Sequence, residues 1–265
     1  MIENVRCTAS DGAQTGARVT RPSEESRGAL MFVHGVGSTA AIWDRQLEAF
    51  GDEYVCAAIE LRGNGALPDP DPALITRAGY AADVCAVADS LGAKRFTVVG
   101  CSLGGVVAFE LWEGAPQRVE AMLILGSFAR YPDAERNAEQ LRAQAVELGN
   151  MRAFAQARAA KLGLPPARMR ETIEQYACKS LASFLAATDA TWTGDYRAVL
   201  PTIDVPVLVA YGEHDTVAPR ALAEEIAAGI PGAQLAIIPD SGHVANADNP
   251  AAFNRLLREF LATLR

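Results

Sequence analysis

Short, continuous apolar runs alternate along this chain with stretches in which apolar residues recur at helical spacing. The run "ALMFVHG" (29–35) closes at Gly35, and "YVCAAIEL" (54–61) leads into the loop "RGNGALPDPDP". Uninterrupted runs bounded by turn residues predict strands buried on both faces, as in a parallel sheet. "AGYAADVCAVADSLG" carries its apolar residues at helical spacing and stops at Gly92, a glycine placed to end a helix. "RFTVVG" then predicts a strand, "GGVVAFELWEGAP" a helix and "VEAMLILGS" a strand again. The alternation predicts an α/β protein with a mostly parallel central sheet flanked by helices.

From about Tyr131 to Tyr196 the alternation stops. This stretch is polar, rich in Ala, Arg, Glu and Gln, holds no β-run, and is interrupted by "GLPP" at Gly163–Pro166. Beyond it "VPVLVAYGEHD" and "QLAIIPDSGH" predict strands, "RALAEEIAAGI" a helix, and "PAAFNRLLREFLATL" a closing amphipathic helix. The expected organisation is a core made of 1–129 and 198–265 with a helical insert at 130–197.

At 265 residues the chain can enclose one large core, or one core with a small inserted subdomain. Half of its residues are apolar, which argues against disorder. A net charge of -8 disfavours a nucleic-acid partner, whose phosphates ask for a basic patch. No stretch approaches the roughly 20 apolar residues of a membrane-spanning helix, and the opening residues, charged at Glu3, show no apolar leader segment. The five cysteines, Cys7, Cys56, Cys85, Cys101 and Cys178, are scattered, odd in number and without a C-x-x-C pair. They read as reduced thiols of a cytoplasmic protein. Neither "HGVGS" nor "GNG" completes a phosphate-cradling motif, and no His/Glu pair has metal spacing, so neither cofactor nor catalytic metal is expected.

Candidate chemistry enters at "FTVVGCSLGGVVAFELW" (96–112), where a hydroxyl stands between glycines at the junction of a strand and a helix. G-C-S-L-G fits the G-x-S-x-G nucleophile elbow, a strained turn that lifts the serine hydroxyl above the sheet. A serine hydroxyl is a weak nucleophile without an adjacent base, and the chain has three histidines to supply one. His34 follows an early strand, His214 adjoins Asp215, and His243 follows the last strand in "DSGHVANADNP". Parallel sheets gather their strand ends along one edge. His243 is therefore placed to reach Ser102, with Asp215 at the end of the preceding strand to hold it. His214 cannot easily be held by the carboxylate next to it and reads as a solvated loop residue. His34 reads as a hydrogen-bonding support for its glycine turn, and Cys101 is expected to pack beneath the elbow.

The order Ser102, Asp215, His243 is that of α/β-hydrolases. The blocks "HGVGSTAAIWD", "GCSLGG", "YGEHDTVAP" and "SGHVANADNPAAFN" resemble that superfamily over nearly the whole chain. Within it, "HGVGSTAAIWDRQLEAF" and the length are most similar to enol-lactonases of the 3-oxoadipate pathway and their carboxylesterase relatives. The resemblance implies an α/β-hydrolase fold with the insert as a helical cap. It implies Ser102 as nucleophile, His243 as base and then acid, Asp215 as its orienting carboxylate, and an oxyanion hole from the backbone N–H groups of Val36 and Leu103. It also offers Asp133 as a rival acid, one strand earlier. Where relatives often read D-x-R-G, this chain reads Glu60-Leu61-Arg62-Gly63, expected to keep a structural ion pair.

The implied reaction is cofactor-free hydrolysis of a small carboxylic ester or lactone, with an enol-lactone leading. Hydrolysis of a diketone carbon–carbon bond and perhydrolase-type oxidation on the same triad stay open, as does a ligand-binding receptor on this fold. The expected partner is a small molecule, with neither nucleic acid nor membrane, and self-association stays open. Arg130, Arg136, Arg142, Arg152 and Arg158 of the insert either hold a substrate carboxylate or form a solvated face balanced by Glu135, Glu139 and Glu147. Trp192 and Phe184 are candidate pocket walls.

Overall fold

Along each central strand the apolar side chains divide between two faces. Met31 and Val33 join one buried cluster while Leu30 and Phe32 join the other; Met122 and Ile124 separate from Leu123 and Leu125 in the same way. The period-2 pleat turns an unbroken apolar run into two cores, one on each side of a sheet. The computed structural model describes residues 1–161 and 166–264. Its sheet has eight strands: β1 (Glu3–Thr8), β2 (Gln14–Thr20), β3 (Ala29–Val33), β4 (Val55–Glu60), β5 (Phe96–Cys101), β6 (Val119–Leu125), β7 (Val207–Gly212) and β8 (Gln234–Ile238). They lie in the order β1-β2-β4-β3-β5-β6-β7-β8. The pairs from β4 to β8 are parallel, and β2 is antiparallel to both β1 and β4.

β1 and β2 are absent from the pattern-based expectation. β1 alternates exposed and half-buried positions at the sheet edge, so its "ENVRCT" shows no apolar run. The helices are α1 (Asp44–Phe50), α2 (Arg77–Ser90), α3 (Leu103–Gly114), α4 (Ala134–Leu148), α5 (Met151–Lys161), α6 (Pro166–Ala177), α7 (Leu181–Trp192), α8 (Arg220–Gly229), α9 (Ala245–Asp248) and α10 (Pro250–Ala262). α2 starts at Thr76, whose side chain accepts the Gly79 N–H at 2.9 Å, and gives way to Gly92 at φ +72. Those are the start and stop signals of a capped helix. α10 starts at Asn249, which accepts the Ala252 N–H at 3.2 Å, and buries Phe253, Leu257 and Phe260 against the second cluster.

α4 to α7 lie between β6 and β7. Arg130 and Asp195 form an isolated antiparallel bridge where this segment leaves and rejoins the sheet, and the Tyr196 N–H donates to Ala129 O at 2.8 Å. The Gly163–Pro166 interruption falls mostly outside the described residues, with Pro166 opening α6. Glu60-Leu61-Arg62-Gly63 serves the scaffold. Arg62 is fully buried; its guanidinium donates to Asp83 at 2.8 and 3.0 Å, to Asp11 at 3.2 Å and to Leu74 O at 2.9 Å. The Glu60 carboxylate instead faces the Ala40 N–H at 3.3 Å. Among the described residues no helix is long and apolar enough to cross a membrane.

Candidate active site

The turn from β5 into α3 forces Ser102 to φ 55, ψ -115, a conformation that costs on the order of 1–3 kcal/mol in a non-glycine residue and persists only where its surroundings hold it. Here β6 does the holding: the Ser102 N–H donates to Leu125 O at 2.9 Å, and Ser127 Oγ donates to Ser102 O at 2.8 Å. The flanking glycines answer to close approach. A Cβ on Gly100 would lie 2.2 Å from Gly104 O, and one on Gly104 would lie 2.1 Å from Val33 O. A helix packed this tightly on the strands beneath it leaves the serine at the crest of the turn. Cys101 points the other way, into the second cluster, with Sγ 3.8 Å from His243 O.

His243 stands beyond β8 and Asp215 beyond β7, and the two meet: His243 Nδ1 is 2.9 Å from Asp215 Oδ2. The other oxygen, Oδ1, accepts the N–H groups of Val217 at 2.8 Å and Ala218 at 2.9 Å, so the carboxylate is buried and fixed from both sides. Asp133 does not share this position; it is an exposed residue preceding α4. Gly126, at the tip of β6 and at φ +52, leaves the space these groups need, since a Cβ there would lie 3.0 Å from Asp215 Oδ2.

The other histidines sit apart. His34 is fully buried, with Nδ1 2.8 Å from Gly35 O and Nε2 taking the Leu61 N–H at 3.4 Å, so it ties its glycine turn to the end of β4. His214 is exposed at the mouth of the cavity described next. Among the described residues the one group of side chains close enough to share an ion is Glu213, His214 and Asp240, all exposed.

Ser102 and His243 line one cavity of about 150 Å³ together with Val36 from the loop after β3 and Arg158, Gln175, Tyr176 and Trp192 from the inserted helices. The volume is below the roughly 300 Å³ at which pockets for drug-sized ligands begin, so the space suits a small substrate. Leu103 opens α3, where no earlier carbonyl of the helix can reach its N–H. Tyr176 was not singled out in the sequence, yet its hydroxyl donates to Val36 O at 3.3 Å and its ring covers Gly37. Trp192 stacks on Phe128 at 5.4 Å, whereas Phe184 packs inside the insert against Phe154 at 4.6 Å and does not line the cavity. Burial pushes the Tyr131 phenol up, and nearby Arg158 draws it back.

A strand-borne elbow serine, a histidine on the last strand's loop and a carboxylate on the loop before it define a hydrolase architecture on a mostly parallel sheet. The model of the alpha/beta hydrolase family matches residues 30–256, and the chain belongs to that family. It is 28% identical over 238 residues to 3-oxoadipate enol-lactonase 2 of Acinetobacter baylyi, covering 87% of each chain. It is 27% identical over 245 residues to the putative carbamate hydrolase RutD of Escherichia coli, covering 89% of this chain and 88% of that one. A crystal structure of a hydrolase from Pseudomonas aeruginosa superposes with a TM-score of 0.87 at 28% identity over 98% of both chains.

Proposed function

We propose that this protein is a serine hydrolase that opens a small carboxylic ester or lactone through an acyl-enzyme on Ser102, without a cofactor. The observation that carries the reading is the shared cavity: the elbow serine lines the same small space as a histidine held at 2.9 Å by a fixed carboxylate. Ser102 Oγ attacks the carbonyl carbon while His243 Nε2 takes its proton. The oxyanion lies on the backbone N–H groups of Leu103 and Val36, donors fixed before the charge develops and each worth about 10²–10³ in rate. Collapse breaks the carbonyl carbon–oxygen bond, and His243 returns the proton to the leaving oxygen, which in a lactone stays tethered to the acyl group. Water then adds to the acyl carbon, giving its proton to His243, and the free acid departs as Ser102 regains its own.

The helices α4–α7 act as the cap that closes this space. The similarity to a protein named an enol-lactonase makes an enol-lactone the leading substrate, and the similarity to one named a carbamate hydrolase puts carbamates on the same panel. Five scattered cysteines, with no disulfide among the described residues, suit a reducing, cytoplasmic setting.

The test compares wild type with Ser102→Ala and His243→Ala on a short p-nitrophenyl ester, alongside intact-mass detection of an adduct with a serine-trapping phosphonate. The expected result is activity in wild type alone, with the adduct on the peptide holding Ser102. Equal activity in all three proteins, or no adduct on folded wild type, overturns the reading.

A further inference from the structure

We infer that Arg158 is a specificity-determining residue of this cavity, and that the substrate carries a carboxylate on its acyl part, a short chain away from the carbonyl that Ser102 attacks. The inference rests on the hydrolase reading above and deepens it.

The insert's arginines behave in different ways. Arg130 and Arg142, both half-buried, pair with Glu135 at 3.1 Å and with Asp189, and the exposed Arg152 pairs with Glu174 at 2.6 Å. Arg136 is exposed on α4. Arg158 is half-buried, lines the cavity that holds Ser102 and His243, and has no carboxylate within ion-pairing distance among the described residues. A guanidinium withdrawn from water without an acid beside it is electrostatically incomplete. Its five donors in a planar fork match a carboxylate bidentately.

The rest of the lining does not supply that anion. The one acid among the described residues lining the cavity is Asp248, an exposed residue whose Oδ2 already accepts the Gly242 N–H at 3.0 Å. Thr172 and Gln175 of α6 add neutral polar groups to the lining. With about 150 Å³ available, the acyl chain that spans from Ser102 to the guanidinium is short. One end of the substrate is then fixed by charge and the other by the oxyanion hole, which orients the carbonyl for attack.

The experiment uses two esters of one shape: monomethyl succinate, and methyl 4-methylpentanoate, in which an isopropyl group replaces the carboxylate. Both are measured as competitors of p-nitrophenyl acetate hydrolysis, so each gives a competition constant whether or not it is turned over. Wild type should bind the charged ester at least about tenfold more tightly, as expected for a hydrogen bond between charged groups. Arg158→Gln should erase the ratio, Arg158→Lys should restore part of it, and Arg136→Gln should leave it as in wild type. Because the readout is a ratio within each variant, a general loss of activity does not imitate the result. A ratio near or below one in wild type, or a ratio that survives in Arg158→Gln, overturns this inference and leaves the hydrolase intact. Failure of wild type to hydrolyse p-nitrophenyl acetate overturns both.

Discussion

Asp215 divides its two oxygens between different tasks, and that division predicts what a conservative change does. Oδ1 is fixed by two backbone N–H groups, while Oδ2 faces His243 Nδ1. In Asp215→Asn the amide oxygen stays with the backbone donors and the amide nitrogen turns to the imidazole. The proton then moves to Nε2, the atom that receives the serine's proton in the proposed mechanism. Turnover of a p-nitrophenyl ester should fall about 10⁴-fold, as in the serine-protease template, with the unfolding midpoint little changed; more than about a tenth of wild-type turnover would sink the assigned role. Gly126 tests the same spot from behind. Gly126→Ala combines positive φ with a Cβ 3.0 Å from Asp215 Oδ2, so urea denaturation should show a loss of about 1–3 kcal/mol together with reduced turnover. Gly92→Ala, equally at positive φ but in open space, should cost stability and spare turnover. The meeting of His243 with Asp215, and of His243 with Ser102 at one cavity, was legible in the sequence because each residue lies in a short motif that follows a strand. Gly126, Ser127 and Tyr176 were not, because what they do depends on which loop folds against them.

At the scale of elements, α6 and α7 are fastened to the sheet's loops by polar contacts. Tyr176 holds Val36, Ser38 Oγ donates to Gln175 Oε1 at 3.1 Å, Ser183 donates to Asp69, and Lys179 donates to Asn64. Lys179, between the two helices, is buried, and desolvation pushes its ammonium down to about 8 from its usual 10.5, against the pull of Glu60 and Asp69. The unfolded chain therefore binds more protons at this site between pH 8 and 10.5, so stability should rise with pH across that window and the full penalty should stand below pH 8. Urea denaturation at pH 7.5 and 10, wild type against Lys179→Met, isolates the contribution: the wild type should gain relative to the variant on going to high pH, and parallel curves would contradict it. None of these fastenings was visible in a pattern that reads the insert as polar helices. The strands β3 to β7 were visible as runs because burial on both faces leaves few polar positions, and the exposed edge strand β8 was visible because its side chains are apolar all the same, while β1 and β2, the other edge strand and its partner, lacked that signal.

Among the described residues two apolar clusters are separated by one sheet, and the candidate chemistry sits along the edge where the parallel strands end. Among the described residues the buried charges are Lys179, Asp215 and the Arg62–Asp83 pair, which anchors the loop after β4 to α2. Removing one partner there, as in Asp83→Ala, leaves a buried guanidinium with the Leu74 carbonyl and, as its one remaining carboxylate, the solvent-facing Asp11. Such a change should lower stability by about 3–5 kcal/mol, and a shift in the urea midpoint no larger than that of a surface substitution would count against it. The bridge between Arg130 and Asp195 has a bearing on descent. Because the chain departs and returns at one point, the sheet is blind to how much polypeptide hangs between. A gene could lengthen, shorten or trade that stretch without re-registering β6 or β7. A graft at this neck should carry a donor's choice of substrate into the recipient, and a lineage could change its diet while inheriting its nucleophile unaltered.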